Sequence, residues 1–100
     1  MKIKVCIKEP GGAPRCVCVS EELSNLQKIV GGYIETVTIA KDLVVICNEE
    51  GRLMGLPHCC DICGIQFVGP IILAGVRRDE LTDIPVSYQA LKRLIPGLWE

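Results

Sequence analysis

The alternation of residue types near the N-terminus constrains the fold most strongly. In KIKVCIK, at residues 2–8, branched apolar residues occupy every second position, and lysines and Cys6 occupy the positions between them. A period of two places alternate side chains on opposite faces of a strand, so one face is expected in the core and the other in solvent. After the Gly-rich stretch EPGGAP, the run RCVCVS repeats the alternation. Residues 2–19 are therefore predicted to form a β-hairpin.

The register of this hairpin decides where its cysteines lie. If Lys8 pairs with Pro14, then Cys6 lies opposite Cys16, and Cys18 lies on the same face two residues further on. Directly opposite side chains on an antiparallel pair are neighbours. Three thiols are thus expected to share the outer face of the hairpin.

A helix is predicted next. Ser20 is a favourable N-cap residue, and apolar residues recur after it at helical spacing for about three turns. Gly31 and Gly32 are expected to end the helix, because glycine adopts the left-handed conformation without steric cost.

The remainder of the chain reads as strands followed by a helix. YIETVTIA and LVVIC predict a second hairpin, closed by NEEG, whereas residues 52–66 look irregular. FVGPIILAG predicts a buried strand, which Pro70 places at a sheet edge or gives a bulge, since proline cannot donate a ladder hydrogen bond. Ile84, Tyr88, Leu91 and Ile95 then recur at helical spacing before Pro96.

This order, β-β-α-β-β-β-α, predicts an α+β fold. The strands are too close in sequence for crossover helices, which favours a mainly antiparallel sheet of about five strands packed by one or two helices. With 100 residues, 49% of them hydrophobic and 23% charged, the chain fits one small domain spanning residues 1–100.

Charge and hydropathy exclude several classes of partner. The formal net charge is −1, so nucleic acid is not the expected partner. No apolar run reaches the ~20 residues that a membrane span requires, and the N-terminus lacks the apolar core of a signal peptide. We therefore expect a cytoplasmic protein, a monomer or small homo-oligomer, whose seven cysteines remain free thiols and which needs no cofactor.

The densest group of potential ligands is HCCDIC. Its donors are His58, Cys59, Cys60 and Cys63, which indicate zinc as one interpretation. A tetrahedral site needs four ligands, and adjacent Cys59 and Cys60 point apart in an extended chain, so a further donor would have to come from elsewhere. No catalytic signature surrounds these cysteines, and we predict that the protein is not an enzyme.

One segment resembles a known family. LQKIVGGYIETVTIAKDLVVICNEEGRLMGLP, at residues 26–57, contains GGYIE, NEEG and GLP in order, and a VGP follows at 68–70. These motifs are similar to those of the family called domain of unknown function 3846. The resemblance implies a short cytoplasmic protein of bacteria, phages or other mobile elements, without an assigned reaction. HCCDIC departs from the family pattern, which implies polar or basic loop residues there.

The residues of the resemblance have a structural and a functional interpretation. Structurally, Gly31 and Gly32 end a helix, residues 48–51 form a turn, and Leu56 and Pro57 anchor a loop against the core. Functionally, strand-end and loop residues could form the polar rim of a binding face, since rigid scaffolds place recognition there. The residues of that rim would be Tyr33, Glu35, Asn48, Glu49 and Glu50.

Two hypotheses follow from the sequence. The first is a non-enzymatic protein-interaction module of a phage or other mobile element, with a protein partner that the sequence does not identify. The alternative is a small zinc-binding protein built around HCCDIC.

Overall fold

The structure is a computed structural model that describes residues 1–99. Over these residues it contains eight β-strands, two α-helices and a short 3-10 helix. In chain order they are β1 (Lys2–Lys8), β2 (Arg15–Ser20), α1 (Leu23–Val30), β3 (Ile34–Ala40), β4 (Leu43–Asn48), β5 (His58–Ile62), β6 (Ile65–Val68), β7 (Ile71–Arg77), β8 (Glu80–Thr82), α2 (Tyr88–Leu94) and the 3-10 helix Pro96–Trp99.

Six strands form the main sheet, and all its pairings are antiparallel. The strand order is β2-β1-β7-β4-β3, with β8 paired to the end of β7. In the first hairpin Cys6 lies opposite Cys16, so the predicted register is confirmed. The α+β class and the mainly antiparallel sheet are confirmed as well, and the structure adds β5, β6 and β8 to the predicted strands.

Helix α1 is shorter than predicted and begins later. Glu22 occupies the N-cap position and has no side-chain capping bond, whereas Ser20 Oγ accepts a hydrogen bond from the backbone of Glu22 at 3.2 Å. The assignment of Ser20 as N-cap was therefore wrong, because the Ser20 hydroxyl is used in a turn two residues before the helix. The end was predicted correctly, since Gly31 adopts φ 85° and its N–H donates to Gln27 O.

Helix α1 covers one face of the main sheet. Its buried residues Leu26 and Val30 pack on alternate residues of β1, β4 and β7. Every buried member of this cluster is aliphatic, as the alternation predicted for the inner face of β1. The members are Ile3, Val5, Ile7, Leu26, Val30, Val44, Ile46, Ile72 and Ala74.

The opposite face is also covered, which the alternation did not predict. The β5–β6 hairpin, α2 and the 3-10 helix pack over it, so that Cys6 and Lys8 on β1 are buried. The expectation that Cys6 shares a solvent-exposed face was therefore wrong; Cys16 is half-buried, and Cys18 is exposed. The strand has two buried faces because distant parts of the chain return to cover the second one.

Residues 52–66 were predicted to be irregular, and this was wrong for part of the segment, because β5 and the start of β6 lie within it. These strands form a separate two-stranded sheet, in which a bulge between His58 and Cys60 leaves Cys59 without a partner in the register. Gly69, with φ 71°, and Pro70 separate β6 from β7. Pro70 thus marks a change of sheet, and β7 lies at the centre of the main sheet rather than at its edge.

The C-terminal region begins with a capped helix. Ser87 Oγ accepts a hydrogen bond from the Ala90 N–H at 3.1 Å, and α2 then buries Leu91. Pro96 opens a 3-10 helix, which buries Leu98 against the hairpin. Neither helix in residues 1–99 is long and apolar enough to cross a membrane.

Candidate functional site

Asn48 organises the end of the β3–β4 hairpin. Its side chain is buried, and Nδ2 donates to the Val30 carbonyl at 3.2 Å while Oδ1 accepts from the Glu50 N–H at 2.8 Å. A side chain on Gly32 would place its Cβ 2.9 Å from Asn48 Nδ2, so glycine is required for this close approach. Asn48 therefore joins the end of α1 to the loop that follows β4.

A cleft of about 180 Å³ opens on one side of Asn48. Glu35 and Val37 of β3 form one wall, and residues 65–68 of β6 form the other. Arg52 crosses the cleft and donates to the Gln66 carbonyl at 2.7 Å. Because the cleft lies between the edge strand of the main sheet and the β5–β6 hairpin, it separates two independent sheets.

Cys47 lies in the wall of this cleft beside Glu35. Its Sγ is 3.9 Å from Glu35 Oε1. Burial, followed by the Glu35 carboxylate, raises the pKa of the Cys47 thiol to about 11. The thiol is therefore a neutral donor at neutral pH and is not poised as a nucleophile.

A shallower depression lies on the other side of Asn48. Gly31, Gly32, Tyr33, Glu50 and Met54 contribute to it. Met54 Sδ lies 3.5 Å from Asn48 Nδ2, and the Tyr33 side chain is 67% exposed. The Tyr33 ring therefore lies largely in solvent at the edge of this depression.

Exposed apolar side chains concentrate around these two depressions. Of the eight large apolar side chains that are exposed in residues 1–99, Tyr33, Leu53, Met54 and Ile65 line one depression or the other, and Leu53 is 87% exposed. With Glu35, Glu49 and Glu50, they form one surface around Asn48, which we call the Asn48 surface. Four of the five residues predicted as a polar rim lie on it, and the fifth, Asn48, is buried beneath it.

The donors of HCCDIC are divided between two sides of the β5–β6 hairpin. His58 and Asp61 lie on the exposed side, where His58 Nε2 is 2.7 Å from Asp61 Oδ1. Cys59 and Cys60 are buried, and Cys63 lies exposed in the turn with φ 52°. Within the part of the chain that the structure describes, no three His, Cys, Asp or Glu side chains converge in a way that could hold a metal ion.

The two buried cysteines of β5 interact with each other and with Lys8. The pKa of Cys59 is lowered, chiefly because the Cys60 thiol can donate a hydrogen bond to its thiolate and also because of the Lys8 ammonium, although burial opposes the shift. The pKa of Cys60 is raised, first by Cys59 and then by burial. If the pair loses one proton, Cys59 is therefore the thiol that ionises first.

The sequence reasoning missed the apolar part of the Asn48 surface. Leu53 and Met54 lie between Arg52 and Gly55 in a loop punctuated by glycine and proline. Large apolar residues in such a short loop could have indicated this exposed apolar surface, because the loop has no core of its own in which to bury them. Ile65 carried no such signal, since its exposure depends on the unpredicted β5–β6 hairpin.

The sequence profile of the family described as "Domain of unknown function (DUF3846)" matches residues 1–95. No curated protein and no solved structure matches the chain significantly.

Proposed function

We propose that this chain, which belongs to the DUF3846 family, is a non-enzymatic domain that binds another protein. The proposed setting is the cytoplasm of a cell that carries a phage or other mobile element, with the domain acting as a monomer or small homo-oligomer. The observation that carries the proposal is the Asn48 surface, where four exposed large apolar side chains lie among three glutamates.

The composition of this surface supports a protein partner. Apolar side chains grouped in one exposed region, with polar residues around them, are typical of protein-interaction sites. Leu53, with 87% of its surface in solvent, gains nothing from the fold in that position. Burial against a partner would contribute roughly 1.5 to 3 kcal/mol for such a side chain.

The charges specify the chemistry of that partner. Glu35, Glu49 and Glu50 surround the apolar side chains, whereas Arg52 is engaged with the Gln66 carbonyl. The partner that fits is therefore a protein segment with an apolar anchor flanked by lysine or arginine. Such charge complementarity contributes more to specificity and to the rate of association than to affinity.

The edge of the main sheet offers a way to hold an extended segment. Within residues 1–99, β3 pairs with β4 alone, and its Glu35 and Val37 line the cleft. An extended segment could add a strand to this edge, with its backbone hydrogen-bonded to β3 and alternate side chains directed into the cleft.

Site-specific photocrosslinking in cells tests the proposal. A photoreactive amino acid replaces Leu53, and the matched control replaces Leu94, which is 64% exposed and lies on α2. We expect a discrete crosslinked protein from position 53 that is absent from position 94. The captured protein is then purified and its affinity measured against Leu53→Ser, Glu49→Lys and the control Leu94→Ser.

The two substitutions on the Asn48 surface should separate the contributions. Leu53→Ser should weaken binding about 10-fold or more, corresponding to the loss of one apolar anchor. Glu49→Lys should slow association and reduce its salt dependence, while Leu94→Ser should bind as wild type. Equal crosslinking from both positions, or equal affinity of all variants, would refute the proposed surface.

A further inference from the structure

The bulge in β5 changes what its adjacent cysteines can do together. In a regular strand Cys59 and Cys60 would point to opposite faces. The extra residue at the bulge removes this alternation, and both side chains are buried in the same cluster, with 4% and 2% of their surfaces exposed. Two thiols that the sequence pattern would separate are therefore directed into the same interior.

Lys8 provides a buried positive charge next to these thiols. Only 2% of its surface is exposed, and Nζ donates to the Gly12 carbonyl at 2.6 Å and to the Glu9 carbonyl at 3.1 Å. The Cys59 thiol donates to the Lys8 carbonyl at 3.6 Å. Within residues 1–99 no carboxylate forms an ion pair with Lys8. A buried cation without a counter-ion is costly, so a nearby anion would stabilise it.

We propose that Cys59 and Cys60 form a two-coordinate site for a soft monovalent metal ion, Cu(I), with Lys8 as its charge-compensating neighbour. On binding, each thiol releases one proton, two S–Cu bonds form, and no electron is transferred. The product is a bis-thiolate complex with one net negative charge, which the Lys8 ammonium offsets. Soft thiolate ligands select Cu(I) and zinc among the metals available to proteins.

The arrangement excludes the tetrahedral alternative at the same residues. Zinc in a structural site requires four ligands, and the described residues bring no third His, Cys, Asp or Glu to this pair. His58, the nearest ligand in sequence, is exposed and hydrogen-bonded to Asp61. Cu(I) can be bound by two thiolates alone, so Cys59 and Cys60 could supply all of its ligands.

An opening from solvent lies beside Lys8. A cleft of about 240 Å³ is bounded by Lys8, the Gly-rich turn at residues 11–13, Leu98 and Trp99. The cleft shares Lys8 with the thiol pair, and Gly11 at the turn has φ 77°. Neither cysteine lines the cleft, so an ion that approaches from this side would have to pass Lys8.

Anaerobic titration of the reduced full chain with Cu(I), against a chromophoric Cu(I) chelator, tests the site. We expect one ion per chain that the chelator does not remove. Cys59→Ser and Cys60→Ser should each abolish this retention, whereas Cys16→Ser, Cys18→Ser and Cys63→Ser should retain the ion as wild type does. Lys8→Met should lower the affinity by about 10- to 100-fold, as expected when a group that supports metal ligands is removed.

X-ray absorption on the copper-loaded wild-type chain gives a result that does not depend on how the variants fold. Two sulfur neighbours and no third neighbour would support the site. Three sulfur neighbours, retention that depends on Cys16, or complete removal of copper by the chelator would each overturn the proposal. Protein binding at the Asn48 surface does not depend on Lys8, so failure of one proposal leaves the other standing.

Discussion

The two faces of the main sheet are both buried but differ in chemistry. The buried residues between α1 and the first face are all aliphatic. The core between the second face and the β5–β6 hairpin contains all four buried cysteines, and Lys8 is buried on the same face. The first face is covered by a helix close to β1 in sequence. The second is covered by segments that follow β4 and by the C-terminal helices. The buried thiols and the buried ammonium group thus lie on the side of the sheet that distant parts of the chain cover.

This difference assigns separate roles to the two faces. Aliphatic side chains contribute packing and hydrophobic burial but no ligands, so the α1 face serves stability alone. On the hairpin face, thiols and an ammonium group lie in the packed core, and two clefts open at its edge. The proposed copper site uses this face, whereas the Asn48 surface extends from its rim to the end of α1. Neither proposed site uses a side chain of the aliphatic cluster.

Adjacent residues of β7 test whether both faces belong to one core, and their truncation should destabilise the protein most. Ile72 faces α1, Leu73 faces the hairpin, and both have 0% exposure. Ile72→Ala and Leu73→Ala should each lower the free energy of unfolding by about 2 to 5 kcal/mol, because each leaves a cavity in close packing. Urea denaturation followed by circular dichroism measures both losses.

The same variants also show whether the two faces unfold together. Trp99 packs at the edge of the hairpin-face cluster, so its fluorescence reports that face, while circular dichroism reports the whole sheet. The two probes should give coincident transitions in every variant. A loss below about 1 kcal/mol for Leu73→Ala, or an earlier transition by fluorescence, would mean that the hairpin face is a loosely attached cover.

How much of this could be predicted depends on how far apart the interacting residues are in sequence. The first hairpin, its register and the glycine stop at Gly31 were predictable because local alternation and turn chemistry determine them. The burial of Cys6 was not predictable from the sequence. Alternation with a period of two shows that the two faces of a strand differ, but it does not show whether a distant segment packs over the more polar face. The lysines on that face favoured solvent, yet Lys8 is buried with its ammonium bound to two carbonyls.

The candidate sites follow the same division. Four of the five residues chosen for a polar rim lie on the Asn48 surface because the ends of one hairpin are close in sequence and in space. HCCDIC looked like one ligand group because its residues are consecutive, but a strand separates consecutive side chains. With the bulge, Cys59 and Cys60 share the buried side, and His58 and Asp61 share the exposed side. Neither β5 nor its bulge could be predicted, because the glycines and the proline of residues 52–66 indicated a loop.

Asn48 gives the next effect, since it joins the end of α1 to the Asn48 surface. Asn48→Ala should lower the free energy of unfolding by about 1 to 3 kcal/mol, because it leaves the Val30 carbonyl and the Glu50 N–H without their partner. Asn48→Asp keeps the acceptor but turns a carboxylate oxygen toward the Val30 carbonyl, so it should cost at least as much at pH 7. Thermal unfolding measures both, and an Asp variant as stable as wild type would contradict the assigned amide orientation.

Alkaline pH should act on the hairpin face alone. Burial raises the pKa of Cys47 to about 11 and that of Cys6 to about 12, so both thiols stay protonated in the folded chain when they have ionised in the unfolded one. The unfolded state then binds fewer protons, and stability falls as pH rises above about 9, by up to roughly 1.4 kcal/mol per pH unit for each thiol. In Cys47→Ala the decline between pH 9 and 10.5 should be shallower by about that amount. A slope identical to wild type, from urea denaturation at each pH, would mean that Cys47 ionises freely in the folded chain.

The two helices provide the smallest and most closely matched test, because each face is covered by a helix preceded by a serine. Ser87 Oγ caps α2 through the Ala90 N–H, so Ser87→Ala should cost about 0.5 to 2 kcal/mol. Ser20 Oγ accepts only from the Glu22 N–H in an exposed turn before α1, and that helix begins without a side-chain cap. Ser20→Ala should therefore stay within about 0.5 kcal/mol of wild type. Chemical denaturation of the two variants side by side measures the difference, and an equal cost would place the start of α1 at Ser20, as its sequence alone suggests.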